Sequence, residues 1–168
     1  MKFVKSHFPL VPVPDVIFSR NEGNTYFLMT KSAIGDPLQA TWGLLTTKQR
    51  IAIAKEVADY FLDLFSATSS KIQNVSGDGH PDTFLQLQVM EHFSPLASEG
   101  PSLFMHGDLT PTNIIIQDGK VTALIDWKLV GYYPAFWVRF KAYTHGMMLS
   151  TDKETQEETD KWEWTRHL

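Results

Sequence analysis

The 168-residue sequence contains no cysteine. That excludes disulfides, thiol nucleophiles and Cys-bound zinc, and it suits a reducing compartment, so the cytoplasm is the expected location. Charge of one sign is also scarce. The net charge is −4, and the 15 Lys and Arg are scattered, which builds no basic field for a nucleic acid. Nor is there an apolar run of the roughly 20 residues that a membrane span needs. Near the N-terminus Pro9, Pro12 and Pro14 break the apolar stretch before a signal-peptide core could form. Internal repeats and low-complexity segments are lacking too. What is present is 43% apolar and 12% aromatic residues, enough for one globular domain with a hydrophobic core.

Residues 1 to 8 read as the end of a helix with Phe3, Val4 and Phe8 on its apolar face, stopped by Pro9, which lacks a donor and clashes with the preceding turn. The Pro-Val-Pro step after it forces extended backbone. Val16 to Phe18 and Thr25 to Met29 are β-rich runs around an Asn- and Gly-bearing turn, so a hairpin is expected, with Lys31 to Pro37 as a connector. A long helix is expected over about Thr47 to Ser66, where Ile51, Ala54, Val57, Ala58, Phe61, Leu62 and Phe65 recur at helical spacing and Thr46 with Gln49 forms a capping box. Ala67 to Pro81 reads as a loop and Asp82 to Ala97 as a weaker helix. Three apolar strands then follow, Ser102 to Met105, Asn113 to Ile116 and Val121 to Ile125, the last two joined by an Asp118-Gly119 turn. Tyr132 to Leu149 reads as aromatic-rich and helical after Pro134, and Thr151 to Leu168 as a charged tail.

The chemistry concentrates in His106-Gly107-Asp108-Leu109-Thr110-Pro111-Thr112-Asn113. This places a carboxylate and a carboxamide five positions apart on a loop that runs into an apolar strand, the H-x-D-x-x-x-x-N layout. Phosphoryl transfer needs such groups: a carboxylate takes the proton of the attacking hydroxyl, and a carboxamide with a second Asp holds the Mg²⁺ that bridges the phosphates. Asp108, Asn113 and Asp126 suit those roles, and their oxygen ligands suit Mg²⁺. The hairpin between Asn113 and Asp126 should return both to one end of its ladder. The plainer alternative is a polar turn before a strand, with Asp108 accepting backbone amides and Asn113 closing the loop.

This block resembles the aminoglycoside phosphotransferase and choline kinase group of small-molecule kinases, particularly its fungal phosphotransferase-family proteins. The matching features are His106-Gly107-Asp108, Asn113, Ile114-Ile115-Ile116 and Ile125-Asp126-Trp127, with Val11 to Pro14, a hinge strand at Tyr26 to Met29, Gly35 and Trp42 upstream. Downstream, Gly131-Tyr132-Tyr133-Pro134 and Trp137 match a Gly-x-x-Pro-x-x-Trp segment. The resemblance runs from residue 1 to about 149. It implies an α+β, truncated protein-kinase-like fold, mainly the helical C-terminal lobe with a catalytic-loop β-hairpin and a remnant of N-lobe strands. Residues 1–150 would form one kinase-like domain, with 1–34 the N-lobe remnant and hinge, 35–150 the C-lobe and 151–168 the tail. It also implies ATP- and Mg²⁺-dependent phosphorylation of a hydroxyl on a small-molecule substrate. Asp108 and His106 would be catalytic, His106 through the loop backbone; Asn113 and Asp126 would bind metal and cofactor, with Met29 on the hinge. Trp127, Lys128, Tyr132, Tyr133 and Trp137 either pack the core or line a substrate pocket.

The same comparison expects a phosphate loop, a strand Lys and its Glu partner, and none is visible: Met1 to His7 answers only to the end of the helix that carries that Glu. Lys128 and Val138 also stand where the pattern usually has Glu. Two alternatives to phosphorylation therefore remain. One is a kinase lobe repurposed as a metal- and ATP-independent small-molecule enzyme of secondary metabolism. The other is a non-catalytic pseudokinase module, with a partner chain or a second copy covering the open face.

Overall fold

A computed structural model describes residues 1–77, 79, 100–137 and 141. The chain opens with helix α1 (Lys2–His7), then an extended segment whose Val11 and Val13 are buried. Pro12 explains the placement of that segment: it has no donor of its own, but its carbonyl accepts the backbone N–H of Leu124 at 2.7 Å. Strands β1 (Val16–Glu22) and β2 (Thr25–Thr30) form the expected antiparallel hairpin, with Glu22 opposite Thr25 across a Gly23-Asn24 turn. The hairpin is exposed along nearly its whole length. Its base is held by Asp15, which pairs with Lys5 of α1 and with Lys31 beyond β2. These two ammonium groups hold the Asp15 carboxyl down at about 2.

The expected connector ends in a short strand, β3 (Asp36–Pro37), followed by helix α2 (Leu38–Thr41) and a 3₁₀ turn. Gly35 allows this approach: its φ is +119°, and a Cβ there would meet the Ile116 carbonyl oxygen at 2.2 Å. Helix α3 (Thr47–Phe65) starts at the capping box, in which the Gln49 backbone N–H donates to the Thr46 hydroxyl and the Thr46 N–H to the Gln49 carboxamide. Its buried face overlaps the one periodicity suggests, sharing Ala54 and Val57, but is rotated from it. Ile53, Ala54, Val57 and Leu64 are buried, while Ile51 and Leu62 lie 41% and 68% exposed. The helix is apolar over a wide arc, so two stripes fit the sequence and packing selects one.

Strands β4 (Thr68–Ser69) and β5 (Gln73–Asn74) replace part of the expected loop after α3. They are the outer members of a sheet ordered β4-β6-β9-β5, where β6 is Ser102–Met105 and β9 is Gly131–Tyr133. Gly131–Tyr133 pairs with β6 and β5, and helix begins after Pro134, as expected. The second site-bearing sheet is β3-β7-β8, with β7 (Ile114–Gln117) and β8 (Lys120–Leu124) joined by Asp118 and Gly119 at φ +52° and +75°. Two successive positive φ values are what a type I′ hairpin turn needs. Between this sheet and α3 lies the main core, which includes Leu38, Trp42, Val57, Ile114 and Leu124. The expected helix over Asp82 to Ala97, most of the segment to Leu149 and the tail lie outside the described residues. Among the described residues no helix is long and apolar enough to cross a membrane.

Because Ile53 is fully buried and Ile51 is not, Ile53→Ala should lower unfolding free energy by about 2–5 kcal/mol. Ile51→Ala should cost under about 1 kcal/mol. Urea denaturation of the two variants checks which stripe of α3 faces the core.

Candidate active site

Two antiparallel pairings frame the site. Strands β6 and β9 meet with Met105 opposite Gly131, and β7 and β8 meet with Ile114 opposite Leu124. The loop of residues 106–113 leaves β6 and enters β7, while residues 125–130 leave β8 and enter β9. Both loops are therefore held at the same end of two ladders. The Ile125 N–H donates to the Asn113 carbonyl at 2.9 Å, which continues the β7-β8 ladder to the site itself.

His106 ties the two loops together. Its Nε2 lies 2.9 Å from the Ile125 carbonyl oxygen, which can only accept, so Nε2 carries the proton. Its Nδ1 accepts the Asp108 N–H at 3.3 Å. The ring is completely buried and lies 4.4 Å from the Trp127 ring centroid. Burial pushes the imidazole down to about 4, although the Ile125 carbonyl, Asp108 and Asp126 all favour the charged form. A neutral ring with both nitrogens engaged cannot shuttle a substrate proton. His106 engages the backbone of both loops, the contact expected of it.

Gly107 is required by the same contact between loops. Its φ is +83°, and a Cβ would fall 2.2 Å from the Leu129 carbonyl oxygen and 2.6 Å from the Tyr133 hydroxyl. That hydroxyl donates to the Leu129 carbonyl at 2.5 Å, so any side chain at 107 would push apart the β9 end of the frame. Past Gly107 the Asp108 carbonyl becomes the hub of the loop. It accepts the Thr110 N–H at 3.0 Å and the Asn113 Nδ2–H at 2.7 Å. Asn113 does close the loop, and because its amide nitrogen is spent in doing so, its Oδ1 remains as a donor of lone pairs.

Asp126 sits in left-handed backbone at φ +63°, ψ +56°, directly before a 3₁₀ turn over Trp127–Leu129. Asp tolerates this conformation better than most residues. The turn is anchored by Trp127, whose Nε1–H donates to the Leu124 carbonyl at 2.7 Å. Lys128 follows on this turn. Its Nζ donates to Asp126 Oδ2 at 2.8 Å and lies 3.5 Å from Asp108 Oδ2. One ammonium thus faces both carboxylates, and chiefly the bond and attraction to Asp126 raise its pKa. The two acids and one Lys leave the group with net negative charge.

Ile125 to Lys128 form one wall of a cleft of about 700 Å³ whose other side is the β1-β2 hairpin. Strand alternation decides which hairpin side chains reach it. Tyr26, Leu28 and Thr30 line the cleft, whereas Met29 lies with Phe18 and Phe27 on the other face. Met29, expected at the hinge, thus lies away from this cleft. Phe3 and Lys2 of α1, not expected at the site from the sequence, also border the cleft. The proposed aromatic pocket divides similarly. Tyr133 and Trp137 are 0% and 2% exposed and pack a second core with Met105, and Tyr132 packs edge-on against Phe104. Only Trp127 and Lys128 of that group border the cleft.

Against known proteins, the phosphotransferase enzyme family model matches residues 73–137, the segment that carries both loops. A search of curated proteins finds no match. The fold is that of solved aminoglycoside phosphotransferases. It matches APH(2'')-IIa, solved with gentamicin, at TM-score 0.61 and 13% identity over 99% of this chain and 63% of that one. The GDP complex of aminoglycoside 2'-phosphotransferase-IIIa gives 0.59 and 12% over 99% and 63%. A thermostable mutant of APH(4)-Ia with ADP and hygromycin B gives 0.55 and 16% over 83% and 59%. The chain thus spans about three fifths of the length of these structures.

The buried His106 makes stability depend on pH. Its folded-state pKa lies near 4 against an ordinary 6.5. Between those values the unfolded chain binds a proton that the folded chain refuses. Stability should be full above pH 6.5 and fall by about 3 kcal/mol as pH drops to 4. Urea unfolding across that range should show the loss in the native chain and a smaller one in His106→Gln.

Proposed function

We propose that the chain carries the catalytic-loop side of a small-molecule phosphotransferase, which phosphorylates a hydroxyl with ATP and Mg²⁺. The observation carrying this reading is the junction of Asn113, Ile125 and Asp126, where the Ile125 N–H to Asn113 carbonyl bond sets Asn113 beside the strand end that leads into Asp126 on the wall of the cleft. The family match over residues 73–137 and the nucleotides in the matched structures support it. In this reading Asp108 accepts the proton of the attacking substrate hydroxyl as the hydroxyl oxygen takes the terminal phosphoryl group, and ADP leaves. His106 does not move a proton; it holds the Asp108 backbone and the Ile125 carbonyl at one spacing.

The donor set fits a hard cation. Asn113 Oδ1 and the Asp126 carboxylate are oxygen ligands, and the net negative charge around them favours a divalent ion. Mg²⁺, when bound, supplies charge neutralisation to the phosphate oxygens. Asn113 is oriented for this by its Nδ2–H bond to the Asp108 carbonyl, and Asp126 by its left-handed turn. The apolar side of the cleft, with Phe3, Tyr26 and Leu28, suits the flat ring of a nucleotide base. The hydroxyl-bearing substrate would approach from the Asp108 side. Hygromycin B and gentamicin accompany the matched structures, and the proposal for this chain is a small polar molecule with a free hydroxyl.

A second reading, a metal-independent use of the same pocket, is favoured by one observation: Lys128 already supplies positive charge to both acids. The two readings separate on nucleotide binding. A non-hydrolysable ATP analogue with Mg²⁺ should raise the melting temperature of the native chain, and Asp126→Asn or EDTA should remove the shift. Absence of any shift, or one indifferent to both changes, would count for the second reading. If transfer is then measured, Asp108→Asn should lower kcat by about 10²–10⁴-fold with little change in nucleotide affinity.

A further inference from the structure

We infer that Lys128 is a tethered cation holding the place of a divalent ion against Asp126, so that a metal enters only by displacing its ammonium. The inference rests on the reading of Asn113 and Asp126 as the metal set. Its own observations concern Lys128. The residue lies two positions after Asp126 on a one-turn 3₁₀ helix, which aims its side chain back at the acids. Its Nζ is bonded to Asp126 Oδ2 and is within ion-pair distance of Asp108 Oδ2. A metal on the Asp126 carboxylate would compete with the ammonium for the same lone pairs, and the two cations would repel.

Displacement is feasible because the Lys128 side chain is 60% exposed and its flexible stem can swing without opening the core. Exposed pairs of this kind are weak. The turn itself does not depend on Lys128, since Trp127 anchors it through the Leu124 carbonyl and the His106 ring. Lys128 also borders the cleft, so a displaced ammonium would meet anionic groups bound there. Among the described residues, Lys2 is the other lysine bordering that cleft. The device would make a bare metal bind weakly and a metal arriving with phosphates bind well.

Titration of the full chain with Mn²⁺ by calorimetry tests this. Lys128→Gln should bind Mn²⁺ about five- to tenfold more tightly than the native chain, the effect of removing one nearby charge in a largely solvated site. Lys128→Arg, which keeps the cation, should stay within about twofold of the native value by the same charge argument. Asp126→Asn should lose binding. Equal affinities in the native chain and Lys128→Gln, with binding still lost in Asp126→Asn, would overturn the inference and leave the metal set standing. No Mn²⁺ binding even in Lys128→Gln would overturn both.

Discussion

The pair of hydrogen bonds made by His106 is the constraint on which the site depends. One nitrogen holds the Ile125 carbonyl and the other receives the Asp108 N–H, so one rigid ring sets the distance between the loop that bears Asp108 and the turn that bears Asp126. Burying an imidazole costs free energy unless both nitrogens are satisfied; here they are, and the ring stays neutral. The glycine beside it serves the same spacing, because only a residue without Cβ lets the loop press on Leu129 and Tyr133. Around this contact the β6-β9 and β7-β8 pairings converge, and α3 backs the second of them.

Attachment to the helix is partly polar. Glu56 on α3 accepts the Val121 N–H at 3.2 Å and the Tyr60 hydroxyl at 2.7 Å. The β7-β8 pairing has an irregularity between Ile115 and Ile116, and the Glu56 bond lies at Val121, which is paired with Ile116. A carboxylate reaching from the helix fastens the ladder there. The site thus stands on a hairpin fixed at three places: Pro12 against Leu124, Glu56 against Val121 and Gly35 against Ile116.

Charge distinguishes this site from a plain carboxylate pair. Two acids facing one ammonium repel each other, and the cation between them offsets that repulsion. The chain provides one of its own in Lys128, and a divalent ion could do the same more strongly. In the proposed function, metal entry turns on that competition between a tethered ammonium and a free ion. The exposed hairpin and the buried aromatic cluster matter less to this balance. The first shapes the cleft wall, and Tyr133 and Trp137 stiffen the frame behind the loop.

Much of this was legible in the residues because it is local. The Thr46 capping box, the Asp118-Gly119 turn, the stop at Pro9 and the His106 to Asn113 loop each depend on backbone chemistry within a few positions, so spacing alone identifies them. The return of Asp126 to Asn113 followed from hairpin register. Features that depend on partners distant in the chain were not legible. Which stripe of α3 is buried, that β9 pairs with β6, that Met29 turns away from the cleft, and that His106 is sealed against Trp127 are decided by what packs opposite. Sequence by itself determined the chemical groups and their local turns, because those are set by dihedral preferences and short-range hydrogen bonds. Tertiary structure alone decided which groups stay polar and reachable and which are spent in the core, because burial is a property of the surroundings a residue acquires. Lys128 shows the division: the sequence places it near Asp126, and only the fold puts Asp108 on its other side.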